Sequence, residues 1–235
     1  MTTPHHEAPA TRVAIVTGGS RGAGRATVRR LVARGYAVVV NYLHDQRAAE
    51  SSVEEILAHN GAAVAVRADV ADDVDVERLF VEAIEAFGGV DVVVHAVGSR
   101  TAATPVADID LDEFDALCRI NTRATLIVNR EAARRLRNGG AIVNLSGAAV
   151  GAVLPNYGAQ AATSAATGVL TRLLALELRE RDITVNAVLL TVGGPCLPDR
   201  IADAVAYLLS DEGHGLTGHM IRIDEIAALN LQRSP

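Results

Sequence analysis

One stretch of the chain has the residue types and the spacing that bind a phosphate group. It reads Thr17-Gly18-Gly19-Ser20-Arg21-Gly22-Ala23-Gly24, with an apolar run of strand length before it and helical spacing after it. Glycines permit a tight turn and close approach of the backbone, and a helix N-terminus offers unpaired N–H groups to an anion. A strand before the loop and a helix after it is the context in which this pattern binds a pyrophosphate. The sequence therefore predicts a dinucleotide site at this loop.

The elements that must position this loop alternate along the chain. Seven apolar, β-branched runs have the length of strands: Val13 to Thr17, Ala37 to Asn41, Ala63 to Arg67, Val90 to His95, Ala141 to Leu145, Thr184 to Val188 and His219 to Ile223. Six stretches have helical spacing: Ala23 to Arg34, Gln46 to His59, Val74 to Phe87, Leu111 to Leu136, Gly158 to Arg181 and Ile201 to Leu209. Such alternation predicts an α/β fold, a single doubly wound Rossmann domain with helices on both faces. We predict a seven-stranded parallel sheet in the order 3-2-1-4-5-6-7.

The composition fits one globular domain. Of 235 residues, 49% are hydrophobic and 21% are charged, which is enough to bury one substantial core. We see no repeat or linker that would divide the chain, so we expect a flexible tail over residues 1–11 and one domain over residues 12–235. The formal net charge of -6 leaves no basic surplus for nucleic acid or an anionic membrane.

The cysteines and the apolar segments bear on compartment. Cys118 and Cys196 match no metal-ligand spacing, so we expect no metal site and reduced thiols in a cytoplasmic protein. The start of the chain has no basic region followed by an apolar stretch, so it does not read as a secretory signal. The segment from Asn138 to Thr171 is uncharged, but Pro155 and several polar residues favour a buried strand and helix over a membrane span.

The glycine loop reproduces the T-G-x-x-x-G-x-G pattern of the short-chain dehydrogenases/reductases, and the resemblance runs to about Asp224. Further matches are Asp69-Val70, Asn121, Tyr157, the run Ile183 to Val188 and the turn Leu216-Thr217-Gly218. The resemblance implies an NAD(P)-dependent oxidoreductase. The cofactor-binding residues that we predict are Gly18, Ser20, Arg21, Gly22, Ala23, Gly24, Asn41, Tyr42, Asp69, Val70, Ala96, Gly98 and Tyr157.

Charge at the end of the second strand bears on the choice of cofactor. The strand ends in Asn41-Tyr42 and lacks the Asp that would bind a ribose 2′-hydroxyl and repel a 2′-phosphate. The guanidinium of Arg21 has the fork of donors that pairs with a phosphate. We therefore favour NADP(H) over NAD(H); the alternative is that Arg21 lies in solvent without a role.

The resemblance assigns the chemistry to a Ser that orients the carbonyl, a Tyr that passes the proton, and a Lys one helical turn later. Tyr157 matches the Tyr, but the residue four places on is Ala161. Without a cation nearby, a Tyr side chain has a pKa of about 10, so its ionised form is scarce at neutral pH. We expect weakened carbonyl reduction, with alcohol oxidation affected most.

The predicted serine position is also altered. Aligned on the family's N-I-S-S pattern, the fifth strand places Gly147 where the serine normally stands, and Ser146 comes one place early. Either a shorter following loop returns Ser146 to use, or Ser146 only satisfies a strand end. We predict Tyr157, Ser146 and Asn121 as the catalytic group, with Asn121 holding a water molecule or a helix kink.

Three more departures lie on the same side of the site. The family's N-N-A-G is His95-Ala96-Val97-Gly98, and its P-G is Leu190-Thr191. His95 is either an alternative acid or base, or a structural residue at a strand end. The loop Val192 to Pro198 is short for a substrate lid, which predicts an open, wetter site.

The resemblance also implies subunit association. Its two long helices, here Leu111 to Leu136 and Gly158 to Arg181, pair with their copies in a second subunit, so we expect a homodimer or homotetramer. The alternative is that the alanines of the second helix pack only on the sheet. Asp224-Glu225-Ile226 replaces the family's D-G-G, which makes the tetramer contact less secure.

These residues are compatible with three functions. The first is NADP(H)-dependent reduction of a carbonyl substrate with impaired or altered catalysis. The second is a catalytically inactive NADP(H)-binding subunit or redox sensor, and the departures at Ala161, Gly147 and Leu190-Thr191 motivate it. A third, non-redox chemistry, has only His95 in its favour.

Overall fold

The computed structural model describes residues 11–147, 155–190 and 197–223. Within these ranges seven strands form one sheet, and neighbouring strands run parallel. They are β1 (Val13–Thr17), β2 (Ala37–Tyr42), β3 (Ala63–Arg67), β4 (Val90–His95), β5 (Leu136–Gly147), β6 (Thr184–Leu190) and β7 (Met220–Arg222). Their order is β3-β2-β1-β4-β5-β6-β7, which confirms the predicted topology.

The valine-rich strands form the rigid centre of the sheet. Every residue of β1 and β2 is buried, because helices cover both faces and β-branched side chains pack well on a pleated surface. Val16 pairs with Val40 on one side and with Val94 on the other. This register brings the carboxyl ends of β1, β4 and β5 to one edge of the sheet, where ligands bind in open α/β folds.

The helices are α1 (Gly22–Val32), α2 (Gln46–Ala58), α3 (Asp73–Phe87), α4 (Leu111–Cys118), α5 (Ala124–Arg135), α6 (Gly158–Glu177) and α7 (Pro198–Leu208). Residues of α1, α2 and α7 pack on one face of the sheet, among them Leu31 and Leu208. Residues of α3, α5 and α6 pack on the other, among them Phe80 and Val128. The doubly wound arrangement is therefore confirmed.

Local signals set several helix ends. The Asp72 carboxylate accepts hydrogen bonds from the N–H groups of Val74 and Asp75 at the start of α3, and Gly88 ends that helix with a left-handed φ of 78°. Helix α7 begins at Pro198, three residues before the predicted start, because proline lacks the N–H that the first turn leaves unused.

The predicted continuous helix from Leu111 to Leu136 is wrong in two respects. A π-helical turn over Arg119–Arg123 separates α4 from α5, and Leu136 is extended and begins β5. A π turn inserts an extra residue into helical spacing, which periodicity does not reveal, and such turns are frequent at functional sites. Helix α6 likewise ends at Glu177, followed by a 3₁₀ turn over Arg179–Arg181.

Three predictions concern residues outside the described ranges: the tail, apart from Thr11; Thr191 and the short loop from Val192 to Cys196; and the closing stretch Asp224 to Ile226. Among the residues that are described, no helix combines the length and the apolarity needed to cross a membrane.

Candidate dinucleotide and substrate site

The glycine loop links the end of β1 to the start of α1. Gly18 and Gly22 have φ values of 61° and 54°, which glycine adopts without strain. A methyl group on Gly24 would overlap the carbonyl oxygen of Gly18, so the loop folds against the helix only with a glycine there. Arg21 precedes α1, and its side chain makes no capping hydrogen bond to the helix. The Arg21 side chain therefore leaves the N–H groups at the start of α1 open to an anion.

Asn41 holds the glycine loop against the sheet. Its Oδ1 accepts the N–H of Gly18 at 3.2 Å, and its Nδ2 donates to the carbonyl oxygen of Ala68 at 3.0 Å. Asn41 is 1% exposed. Both ends of the amide are therefore engaged in positioning the loop. Tyr42 is buried as well, whereas Arg21 is exposed beside the loop.

Asp69 and Val70 follow β3 at the same edge. Asp69 accepts the N–H of Ala71 at 2.9 Å and pairs with Arg119 at 2.7 Å. Burial by itself raises the pKa of Asp69, but these hydrogen bonds outweigh it, and the pKa lies below its usual value. Val70 is 4% exposed. Asp69 and Val70 therefore form a fixed wall, and the Asp69 carboxylate in it is ionised at neutral pH.

Asn121 ties the loop after β4 to α6. Its Oδ1 accepts the N–H of Ser99 at 2.8 Å, and its Nδ2 donates to the carbonyl oxygen of Ser99 at 3.0 Å and to Thr163 Oγ1 at 3.2 Å. The π turn presents this amide to both partners at once. Gly98 lies beside it, since a Cβ there would be 3.6 Å from Asn121 Oδ1.

A cavity of about 150 Å³ lies between the carboxyl ends of β4 and β5 and the helix α6. It brings together four predicted site residues: Ala96, Gly98, Asn121 and Ser146. Its lining also includes residues that the sequence did not single out as site residues, among them Arg100, Gln160 and Ser164. A methyl group on Gly147 would lie 3.0 Å from Gln160 Nε2 and 3.1 Å from Ser164 Oγ.

Tyr157 is not among the described residues that line this cavity. It precedes α6 with a non-helical backbone and forms an isolated bridge with Thr104. This corrects the expectation that Tyr157 shares one pocket with Asn121 and Ser146. The physical reason is the helix register: the face of α6 that meets β5 carries residues 160, 164 and 167.

The family pattern needs a strand-end residue and two helix residues four places apart to meet. In this structure the three positions that meet are Gly147, Gln160 and Ser164. Gln160 and Ser164 lie one turn apart, as the Tyr and Lys of the family do, and that spacing was the signal available in the sequence. Gly147 stands in the position of the family's Ser, Gln160 in that of its Tyr and Ser164 in that of its Lys.

His95 lies behind the cavity and not in its described lining. It is 1% exposed, and its Nδ1 lies 2.9 Å from Thr17 Oγ1, which also accepts the N–H of Ala96 at 3.0 Å. Burial lowers the pKa of His95 to about 4, so the imidazole is neutral near pH 7. This placement fits the structural interpretation of His95 and leaves it no access to a substrate in the cavity.

The wall at Asp69 after β3, the glycine loop after β1 and the cavity at the ends of β4 and β5 follow one another along the carboxyl edge of the sheet. The close approach at Gly24 and the uncapped start of α1 fit a pyrophosphate, with Asp69 and Val70 on the β3 side. Fold and site together define a doubly wound α/β protein whose glycine loop has the geometry of a dinucleotide site.

Comparison with known proteins narrows this class. The family described as "Enoyl-(Acyl carrier protein) reductase" matches residues 18–192. A short-chain type dehydrogenase/reductase of Picea abies is 33% identical over 91% of this chain and 91% of its own. Versicolorin reductase stcU of Emericella nidulans is 40% identical over 75% of this chain and 67% of its own.

A solved structure agrees in fold. A short chain dehydrogenase from Burkholderia cenocepacia J2315, in complex with NADP, has a TM-score of 0.82 and 33% identity, covering 91% of this chain and 96% of that one. The chain therefore belongs to the short-chain dehydrogenase/reductase family of oxidoreductases, as the resemblance implied.

Proposed function

We propose that this chain binds NADP(H) and reduces a small carbonyl compound slowly, polarising the carbonyl with hydrogen bonds because the described lining of the pocket has no acidic side chain. The observation that carries the proposal is the meeting of Gly147, Gln160 and Ser164 at the end of β5. An amide and a hydroxyl donate hydrogen bonds but do not release protons readily near pH 7.

The chemistry divides between the cofactor and the chain. A bound reduced nicotinamide supplies a hydride to the carbonyl carbon. Ser146, Gln160 and Ser164 line the cavity and have donors for the carbonyl oxygen. The proton that completes the alcohol then comes from water. Such a site positions its substrate but lacks the acid–base contribution, which is typically about 10²–10⁴-fold in rate.

The preference for NADP(H) is supported by charge. Arg21 is exposed beside the loop, and the end of β2 carries Asn41, with no carboxylate to repel a 2′-phosphate. A structural relative is in complex with NADP. We expect Arg21→Gln to weaken NADPH binding at least about tenfold, because a charge-assisted hydrogen bond to phosphate is lost, and to change NADH binding little.

The first experiment is a fluorescence titration of the protein with NADPH and with NADH, followed by a panel of small carbonyl compounds in the same cuvette. Tight NADPH binding with slow, carbonyl-dependent oxidation is the expected result. Gly24→Ala should abolish binding, whereas Gly215→Ala, which has open space around it, should leave binding unchanged. Failure of the wild-type protein to bind either dinucleotide would overturn the proposal.

The second candidate is a catalytically silent NADP(H)-binding subunit or redox sensor. It is favoured by the same three residues, because none of them has the acidity of the family's Tyr–Lys pair. NADPH binding without any turnover across the panel would select it over the reductase.

A homodimer is also part of the proposal. Val169, Leu173 and Leu176 lie on one face of α6 and are 49%, 49% and 72% exposed, and Leu126 on α5 is 49% exposed. Large side chains exposed side by side favour an interface, and a second copy of the same two helices offers a matching apolar surface.

A further inference from the structure

The cavity between β5 and α6 has one charged residue in its described lining, Arg100. Arg100 follows β4 and is exposed at the cavity rim. It forms no ion pair or hydrogen bond with any other described residue. A guanidinium at the mouth of a small, otherwise neutral cavity favours an anionic group, and its planar fork suits a carboxylate.

Gln160 supplies a second, independent recognition element. Gln160 is 8% exposed, and its Oε1 is buried without a hydrogen-bond partner in the described chain. Its Nε2 has a weak contact with Ser164 Oγ at 3.4 Å. Buried polar atoms are normally hydrogen-bonded, so a ligand that offers an O–H donor would complete this site.

The size of the cavity limits the ligand. Its volume is about 150 Å³, which corresponds to about five water molecules at roughly 30 Å³ each. Val97, Leu145 and Leu190 add apolar lining. A short carbon chain fits this space.

We propose that the cavity takes a short hydroxy acid of about three to five carbons, with its carboxylate on Arg100 and its hydroxyl donating to Gln160 Oε1. This inference rests on the proposed function, because the hydroxy acid is the reduced form of the matching oxo acid. Hydride adds to the carbonyl carbon of the oxo acid, the oxygen takes a proton from water, and the reduced nicotinamide becomes oxidised.

Calorimetric titration of the NADP⁺-loaded protein with lactate and with propionate tests the inference without requiring turnover. The two acids have the same number of carbons and differ in the hydroxyl. We expect lactate to bind at least about tenfold more tightly than propionate, since only lactate satisfies Gln160. Arg100→Gln should weaken both acids about tenfold or more, and Gln160→Met should make their affinities equal.

Arg179→Gln is the matched control, because Arg179 is exposed in the 3₁₀ turn after α6 and does not line the cavity. It should leave both affinities unchanged. This inference alone is overturned if neither acid binds to the wild-type protein while Arg100→Gln still binds NADPH. If NADPH does not bind, the proposed function fails, and the same titration on the cofactor-free protein decides: Arg100-dependent binding supports the carboxylate site, and no binding overturns it.

Discussion

At the scale of single residues, three positions beside the cavity carry side chains that differ from the reactive Ser, Tyr and Lys of the family. Gly147, Gln160 and Ser164 meet where the family pattern brings a Ser, a Tyr and a Lys together. Each replacement keeps the fold, because glycine fills little space and the two polar side chains still hydrogen-bond within the cavity. What changes is acidity, because none of the three releases a proton near pH 7.

Restoring the reactive groups should restore the reaction. The combined variant Gly147→Ser, Gln160→Tyr and Ser164→Lys should raise the rate of NADPH oxidation with a carbonyl substrate by about 10²-fold or more, because acid–base catalysis typically contributes that much. The measurement is steady-state turnover of the wild-type and variant proteins.

Tyr157→Phe is the control in both backgrounds and should change neither rate, since Tyr157 does not line the cavity. A large loss of wild-type turnover in Tyr157→Phe would return the proton-donor role to Tyr157.

His95 makes stability depend on pH. Burial depresses its folded-state pKa to about 4 from an ordinary value of 6.5, so the unfolded chain binds the proton first as pH falls. The stabilising contribution is present above pH 6.5 and is lost towards pH 4. Between pH 7 and pH 5 this linkage amounts to about 2 kcal/mol.

Urea unfolding at pH 7 and pH 5 measures this effect. His95→Asn should lower the pH dependence of the free energy of unfolding by about 2 kcal/mol over that interval. The same pH dependence in both proteins would contradict the assignment of the effect to His95.

At the scale of elements, the π turn between α4 and α5 holds the site together. It places Asn121 so that one amide reaches both backbone groups of Ser99 and the hydroxyl of Thr163 on α6. Three elements are thereby fixed beside the cavity. A regular helix would displace the amide from at least one of these partners.

Removing the Asn121 amide should lower the free energy of unfolding more than a typical substitution at the surface does. Asn121→Ala removes all three hydrogen bonds of a buried amide, so we expect the free energy of unfolding to fall by about 2–3 kcal/mol. Thr163→Val removes one of the three contacts and should cost about 1 kcal/mol. Denaturant unfolding of both variants tests the ranking, and equal losses would argue against the network.

At the scale of the whole molecule, the exposed apolar face of α6 predicts the state of assembly. Sedimentation of the wild-type protein should give the mass of a dimer. Leu176→Glu should produce monomers, because a charge would be buried without a partner at the interface. Leu57→Glu on α2 is the matched control, since Leu57 is 54% exposed on another surface, and it should stay dimeric. A monomeric wild-type protein would contradict the proposal.

The order of the strands and the glycine loop could be predicted because local patterns determine them. Valine runs such as Val38 to Val40 are buried on both faces wherever a parallel sheet forms, and the crossover rule then leaves few topologies. The loop from Gly18 to Gly24 is proposed to bind phosphate through its own backbone N–H groups, and the glycine spacing that this requires is visible in the sequence.

Strand runs and glycine spacing were thus enough to predict the fold, the family and the position of the glycine loop. Which residues share the cavity depends on packing between elements, and this could be seen only once the chain was folded. Tyr157 and Gln160 are three residues apart, and the point where α6 begins and its packing on β5 place Gln160 and Ser164 against Gly147. The position of Arg100 at the cavity and the π turn at Asn121 could not be predicted either. Contacts between elements distant in sequence leave no periodic signal in either element.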